Sequence, residues 1–389
     1  MNQRNHNPLR IALTLMLMLT LSFSTTAHTV ETYATDEIRV LLSTNIESVD
    51  LNINSGYTIH DPQTGKSVSS SFFAKHNKVF PKHTGLSWGE EFPGIYQLHI
   101  VPSSNDAMSI NGEKYFGEII IYQDQNKIHI VNKLKIENLV RSVLSDVINE
   151  KVSQDLIAAL AVLVRTKAYQ SIINDNPYWD ISQDELSYKG QFSLLPNINI
   201  ERSVVLTDGI VLESQDKEQC VEPLWHEHSA GQSIGLDLLS RHVNTPSNTT
   251  VNYDLSAVDR VNTKWTTTMS LYDLSKALNL PGNVSIELTE DAATKRVVGV
   301  SLSNGHERKD LDYFEFRNLV GAHTLKSSLF SVTTNGEKLT FDGYGRGHGV
   351  GLCIYAAKKM AEKNFNSVDI LKKGFPFAEL KRVNVIANG

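Results

Sequence analysis

The chain has 389 residues, a formal net charge of −6, 41% hydrophobic residues and 8% aromatics. That is ordinary globular composition, long enough for two or three packed units. The mild acidity and the lack of a basic run argue against a nucleic-acid surface, and a chain with two cysteines is not built on disulfides.

At the N-terminus, Arg4 and Arg10 precede an apolar run from Ile11 to Phe23, and Thr25 and Ala27 are placed for a cleavage signal. Residues 1–27 read as a secretory signal peptide. The run is shorter than the roughly 20 residues a membrane span needs; an uncleaved anchor is the alternative. The expectation is a mature chain that starts near His28, has no transmembrane segment and works in the periplasm or at the cell surface. There Cys220 and Cys353 can pair, or serve as a buried thiol and a metal ligand.

Residues 37–135 read as a β-rich part. Ile38–Leu42 is strand-like, Val49–Ile53 alternates with period two, and Asp61-Pro62-Gln63-Thr64-Gly65 is a turn cluster. Ile95–Ile100, Gly117–Tyr122 and Lys127–Asn132 follow as further short strands. From Glu137 the period changes. Leu139, Val140, Val143, Leu144, Val147 and Ile148 recur at helical spacing. After a polar break at 149–153, Leu156, Ile157, Leu160, Ala161, Val164 and Ala168 do the same. Ser153 suits the N-cap of the second helix, with Asp155 in its first turn. The expectation is an αα-hairpin with both apolar faces buried.

Residues 136–275 join this hairpin to an irregular stretch. It includes expected strands at Ser203–Leu206 and Gly209–Leu212 and a polar cluster of Cys220, His226, Glu227, His228 and Ser229. Residues 276–389 read as an α/β part, with strands near 284–288, 296–303, 328–332 and 338–342 and helical turns at 271–278 and 314–320. The fold class is α+β: a β-rich N-terminal region, a central αα-hairpin, and an α/β unit ending in a glycine-rich loop and a helix, together forming a groove.

That loop is Gly343-Tyr344-Gly345-Arg346-Gly347-His348-Gly349-Val350-Gly351. Alternating glycines permit positive φ and close approach, and a helical pattern (Leu352, Tyr355, Ala356, Met360) follows. The loop delivers His348 to the mouth of a helix, where free N–H groups favour anions or polarised oxygens. It is not a dinucleotide fingerprint, because it lacks the acidic residue about 20 positions on that a βαβ unit carries on its second strand, and too little chain remains to build that unit. A structural hydrogen-bonding role for His348 is the competing reading.

Four separated stretches, in order, make the chain resemble the family of stage II sporulation protein D and the LytB amidase enhancer. They are Val131-Asn132 with Ile136–Val143; Leu156–Ala168 with Arg165-Thr166; Phe316-Arg317 with Leu325–Phe330; and Gly345–Leu352. The resemblance runs from about Ile38 to Leu380. It implies bacterial peptidoglycan as ligand, with glycan strands stripped of peptide stems preferred, and lytic transglycosylase activity. The amidase-enhancer branch implies instead a non-catalytic binder or a regulator of a cell-wall amidase. Residues matching the family pattern that are implied to contact substrate are His348, Arg165, Tyr188, Trp225, His226 and Ser229.

Glycosidic cleavage needs a carboxylic acid to protonate the leaving oxygen, with a pKa raised by a partly apolar setting. The family places that Glu at the end of the first hairpin helix. Aligned without gaps from Arg165-Thr166 backward, the position is Val147. The nearest carboxylates, Asp146 and Glu150, are the candidate stand-ins. A one-residue shift swings a helical side chain by about 100°, which counts against Asp146. No cofactor is expected; zinc on Cys220, His226 and His228 is a minority alternative, at a spacing that is not a standard signature.

Overall fold

The structure is a computed structural model, and it describes residues 35–104, 108–148, 152–173, 176–190, 197–216, 218–243, 247, 250–253 and 255–383. The signal peptide expected at 1–27 and the candidate acid Glu150 lie outside the described residues. Among the described residues no helix is long and apolar enough to cross a membrane.

The fold is α+β, and its described residues build two main cores. Residues 37–135 form two antiparallel sheets. In the seven-stranded sheet the order is Ile181–Ser182, Glu37–Ile46, Lys127–Lys135, Glu118–Asp124, Gln97–Pro102, Tyr57–His60 and Ser67–Ser71. Its one parallel pairing is Val40 with Ile181. The six-stranded sheet centres on Val49–Ile53 and Lys75–Lys82. Alternation decides which face is buried. In Glu37–Ile46 the residues Ile38, Val40 and Leu42 point inward, and in Lys127–Lys135 Ile128, Ile130 and Leu134 do so.

The hairpin closes this core. Helix Ile136–Val147 buries Leu139, Val140, Val143 and Leu144 along one stripe. Helix Gln154–Ile172 is buried nearly all round. Its N-cap is Ser153, whose Oγ accepts from Leu156 N at 3.2 Å. The strand expected at Ser203–Leu206 is instead the last part of a helix, Ile198–Leu206. Asn197 caps its start, accepting from Asn199 N at 3.0 Å. Ile200 and Val204, four apart, are buried as one helical face, while Val205 and Leu206 stay exposed. A four-residue apolar run cannot by itself separate the two periods; the cap decides.

The second core lies wholly within residues 234–350 and includes Trp265, Leu274, Val300, Phe316, Phe341 and Val350. The chain then returns. Leu352–Cys353 pairs in parallel with Trp225–His226, and Ala378–Arg382 pairs with Ile210–Ser214. Val350 belongs to the second core and Leu352 to the first. The glycine loop is therefore the crossing between the two.

Candidate functional site

Gly345, Gly347, Gly349 and Gly351 all have positive φ. At all four a side chain is excluded by contact as well. A Cβ on Gly347 would lie 2.8 Å from the Cβ of His226, and one on Gly349 would lie 2.5 Å from the Arg296 Cζ. The glycines let the loop press against the segment 224–230. Arg346 and His228 exchange backbone hydrogen bonds at 2.9 and 3.0 Å, and Leu352 N donates to Leu224 O at 3.0 Å.

The stretch Leu325–Phe330 holds the other side. Gly347 N donates to Lys326 O at 2.7 Å. Ser327 Oγ donates to Tyr344 O at 2.6 Å, and Ser328 Oγ donates to His348 O at 2.8 Å. Beneath them Arg296 is almost completely buried. It donates to Ser328 Oγ (2.8 Å) and to the carbonyls of Ser229 (2.5 Å) and Gln232 (2.8 Å). No carboxylate is among these partners, and burial lowers its pKa to about 10. Arg296 thus ties three segments together by hydrogen bonds. Sequence reading missed it, because no pattern in the 291–296 turn points to a partner 60 residues away.

This scaffold gathers three histidines. The His226 and His348 rings lie 6.0 Å apart, Phe314 is 6.0 Å from His348, and His228 sits 4.3 Å from Tyr355. Burial, then the charges of Arg317 and Arg296, push the His348 pKa down to about 4. Burial likewise drives His226 well below its usual value and lowers His228. All three are neutral near pH 7. The hydrogen-bond network fixes their tautomers. His226 Nδ1 donates to Val350 O (3.0 Å), which leaves its buried Nε2 as an acceptor without a partner. The Nδ1 atoms of His348 and His228 accept from Val350 N and Ala230 N, both at 3.0 Å. The Nε2–H of His228 also has no partner. The neutral imidazoles are flanked by aromatic rings, and their two partnerless Nε2 atoms are buried. His348 is not at a helix mouth; Leu352–Cys353 intervenes before helix Ile354–Glu362.

The structure distributes the remaining expected residues. Trp225 is half-buried against the first core beside His226. Ser229 is fully buried, its Oγ accepting from Gly231 N at 3.1 Å. Arg165 is fully buried and bound through two nitrogens to Glu137, at 2.6 and 2.8 Å. Tyr188 is buried and donates to Asn132 Oδ1 at 2.6 Å. These two bonds join the first resembling stretch to the second and to Tyr188, and they are scaffold contacts. Val147 packs on the first core. Asp146 is exposed and paired with Lys189 at 2.8 Å.

Two further carboxylates matter. Asp259 accepts from Lys359 (2.8 Å), Ser256 (2.6 Å) and Tyr355 (2.5 Å), which hold its pKa far below the usual range. It is a fixed anion. Glu222, which sequence reading did not single out, is the described carboxylate whose pKa burial raises. Its Oε1 is 3.9 Å from Cys220 Sγ, and burial, then Glu222, push that thiol up to about 11. Both cysteines are free. Cys220 does not share a ligand cluster with His226 and His228 among the described residues. The group whose donor atoms do converge there is His242, Asp312 and Glu315. Asp312 and Glu315 already form the capping box of helix Tyr313–Val320, and Arg241 pairs with Glu315.

Residues 124–213 match the family described as Stage II sporulation protein, SpoIID. The match covers about a quarter of the chain. It spans the helical hairpin, Asn132, Glu137, Arg165 and Tyr188, while the histidine cluster lies beyond it. An uncharacterized protein of Chlamydia pneumoniae is 26% identical over 188 residues, 47% of this chain and 68% of the relative. An uncharacterized protein of Brachyspira hyodysenteriae is 23% identical over 365 residues, 89% of this chain and 94% of the relative. A Bacillus subtilis protein named amidase enhancer is 39% identical over 62 residues, 16% of this chain and 9% of that protein.

Proposed function

We propose that this is an exported cell-envelope protein that holds peptidoglycan glycan strands, denuded ones above all, without cutting them. The SpoIID match and the similarity to an amidase enhancer support a cell-wall role, with a cell-wall amidase as the natural partner. The observation that carries the non-cutting reading is Val147. An apolar residue packed on the core stands where the family has its acid, and the adjacent Asp146 is exposed and paired with Lys189. The neutral histidines and Trp225 would then hold sugar hydroxyls and a ring face.

The competing reading is a lytic transglycosylase whose acid is Glu150 or the half-buried Glu222, the latter favoured by its raised pKa. The experiment is to incubate the purified mature chain with denuded glycan strands, then score co-sedimentation and 1,6-anhydro ends. Retention without new ends supports the proposal. Anhydro ends that disappear in Glu150→Gln or Glu222→Gln establish the enzyme.

A further inference from the structure

The seven-stranded sheet has a second face, turned away from the core. Register places its residues in cross-strand rows. One row runs Leu41, Val131, Ile120, His99, His60; the next pairs Tyr122 with Gln97. Residues 176–180 cross this face as a strap, and Arg39 fastens it. The Arg39 guanidinium donates to Pro177 O (2.6 Å), to Asn176 O (3.0 Å) and to Asp180 Oδ1 (2.6 Å). Asn176 Oδ1 accepts from the backbone N–H groups of Tyr178 (2.9 Å) and Trp179 (3.3 Å). So the strap is held at both ends of its turn, with Trp179 stacked on His129.

Between the strap, the Asp61–Gly65 turn and the sheet lies an open cleft of about 620 Å³, within the range of small-ligand sites. Tyr178 forms one wall, 44% exposed, its ring edge-on to Tyr122 at 4.9 Å. The floor carries Gln97, His99 and His60.

The cations around the cleft are already paired, and its carboxylates all accept hydrogen bonds. Arg39 is paired with Asp180. Lys133 is paired with Glu37 (2.9 Å) and Glu118 (3.2 Å), and His99 is bonded to Glu118 at 2.6 Å. The Asp61 carboxylate accepts from Gln63 N and Thr64 Oγ1 within its own turn. A site whose cations are all paired offers no free positive charge to an anion. It does offer hydrogen bonds: the Gln97 amide and the His60 ring have no hydrogen-bond partner among the described residues. An exposed aromatic face beside planar polar groups matches the apolar face and hydroxyl rim of a pyranose.

We infer that the cleft under the 176–180 strap is a preformed subsite for a neutral saccharide ring, separate from the histidine cluster. It depends on the glycan reading only for which sugar is bound. Most of its lining lies before residue 124, outside the SpoIID match.

The test is calorimetric titration of the purified mature chain with N-acetylchitotetraose, a β-1,4-linked probe, alongside co-sedimentation with denuded glycan strands. Tyr178→Ala is expected to weaken probe binding roughly tenfold, from loss of one aromatic wall. Tyr178→Phe keeps the ring and is expected to bind as wild type. Gln97→Ala, on a well-packed strand, is expected to weaken binding roughly fivefold through a lost hydrogen bond. Unchanged circular dichroism identifies variants that are folded. Two results overturn the inference: a wild-type chain that does not bind the probe, or binding unaltered in both Tyr178→Ala and Gln97→Ala. Probe binding that depends on Tyr178, in a chain that ignores glycan strands, leaves the cleft standing and removes the glycan reading.

Discussion

Glu137→Ala gives the sharpest test of the scaffold. Arg165 is fully buried, and two of its nitrogens are bound to Glu137 at 2.6 and 2.8 Å. Its remaining contacts are Ile210 O at 3.1 Å and Thr207 Oγ1 at 3.4 Å. Removing Glu137 leaves a buried guanidinium without a counter-charge, at a cost of about 3–5 kcal/mol. Against a total of about 5–15 kcal/mol for a typical native protein, that is a large share. At ordinary urea m-values it moves the unfolding midpoint down by roughly 1–2 M. The assay is equilibrium urea unfolding followed by tryptophan fluorescence, with Arg165→Leu and the double variant completing a cycle. The double variant is expected to be more stable than Glu137→Ala alone, because the orphaned charge is gone. Isosteric Glu137→Gln, where still folded, is expected to retain glycan strands as wild type does. A loss below about 1 kcal/mol for Glu137→Ala, or strict additivity, would refute the assignment of this pair to the core.

Gly349→Ala places a Cβ at φ +89°, 2.5 Å from the Arg296 Cζ, and is expected to cost more than about 2 kcal/mol. Gly336→Ala, at φ +59° with open space around it, is expected to cost about 1–2 kcal/mol in the same unfolding assay. His348 titrates to about 4 in the native state and near 6.5 when unfolded, so only the unfolded chain takes up its proton in that interval. Its contribution is present above about pH 6.5, falls as pH drops to about 4, and reaches at most about 3 kcal/mol. His348→Asn should flatten that limb of the stability-versus-pH curve, and an unchanged slope would contradict the shift. Asp146→Asn removes an exposed pair with Lys189 and should change stability by less than about 1 kcal/mol, with glycan retention unaltered.

Local periodicity carried much of the fold. The strand at Val49–Ile53 and the helix at Leu271–Leu278 lie where their patterns place them, and Ser153 is the cap its residue type suggests. Strands such as Ser67–Ser71 escaped notice, because a serine run half-exposed at a sheet edge has no apolar alternation to read. The site was legible as a set of residue types but not as a geometry. His348 and His226 come together only because parallel pairing sets Leu352 against Trp225, across 127 positions of chain. Arg165 looked like a groove cation, yet its counter-ion sits one helix earlier at Glu137. Arg296 gave no signal at all, since its partners are backbone carbonyls and a hydroxyl. Glu222 became a candidate through burial alone, which a single sequence does not display.

The most direct test of the central claim is analysis of denuded glycan strands after incubation with the purified mature chain. Strands should be retained, less so by Trp225→Ala, with no rise in 1,6-anhydro ends. Anhydro ends that accumulate with wild type and vanish with Glu150→Gln or Glu222→Gln would contradict it.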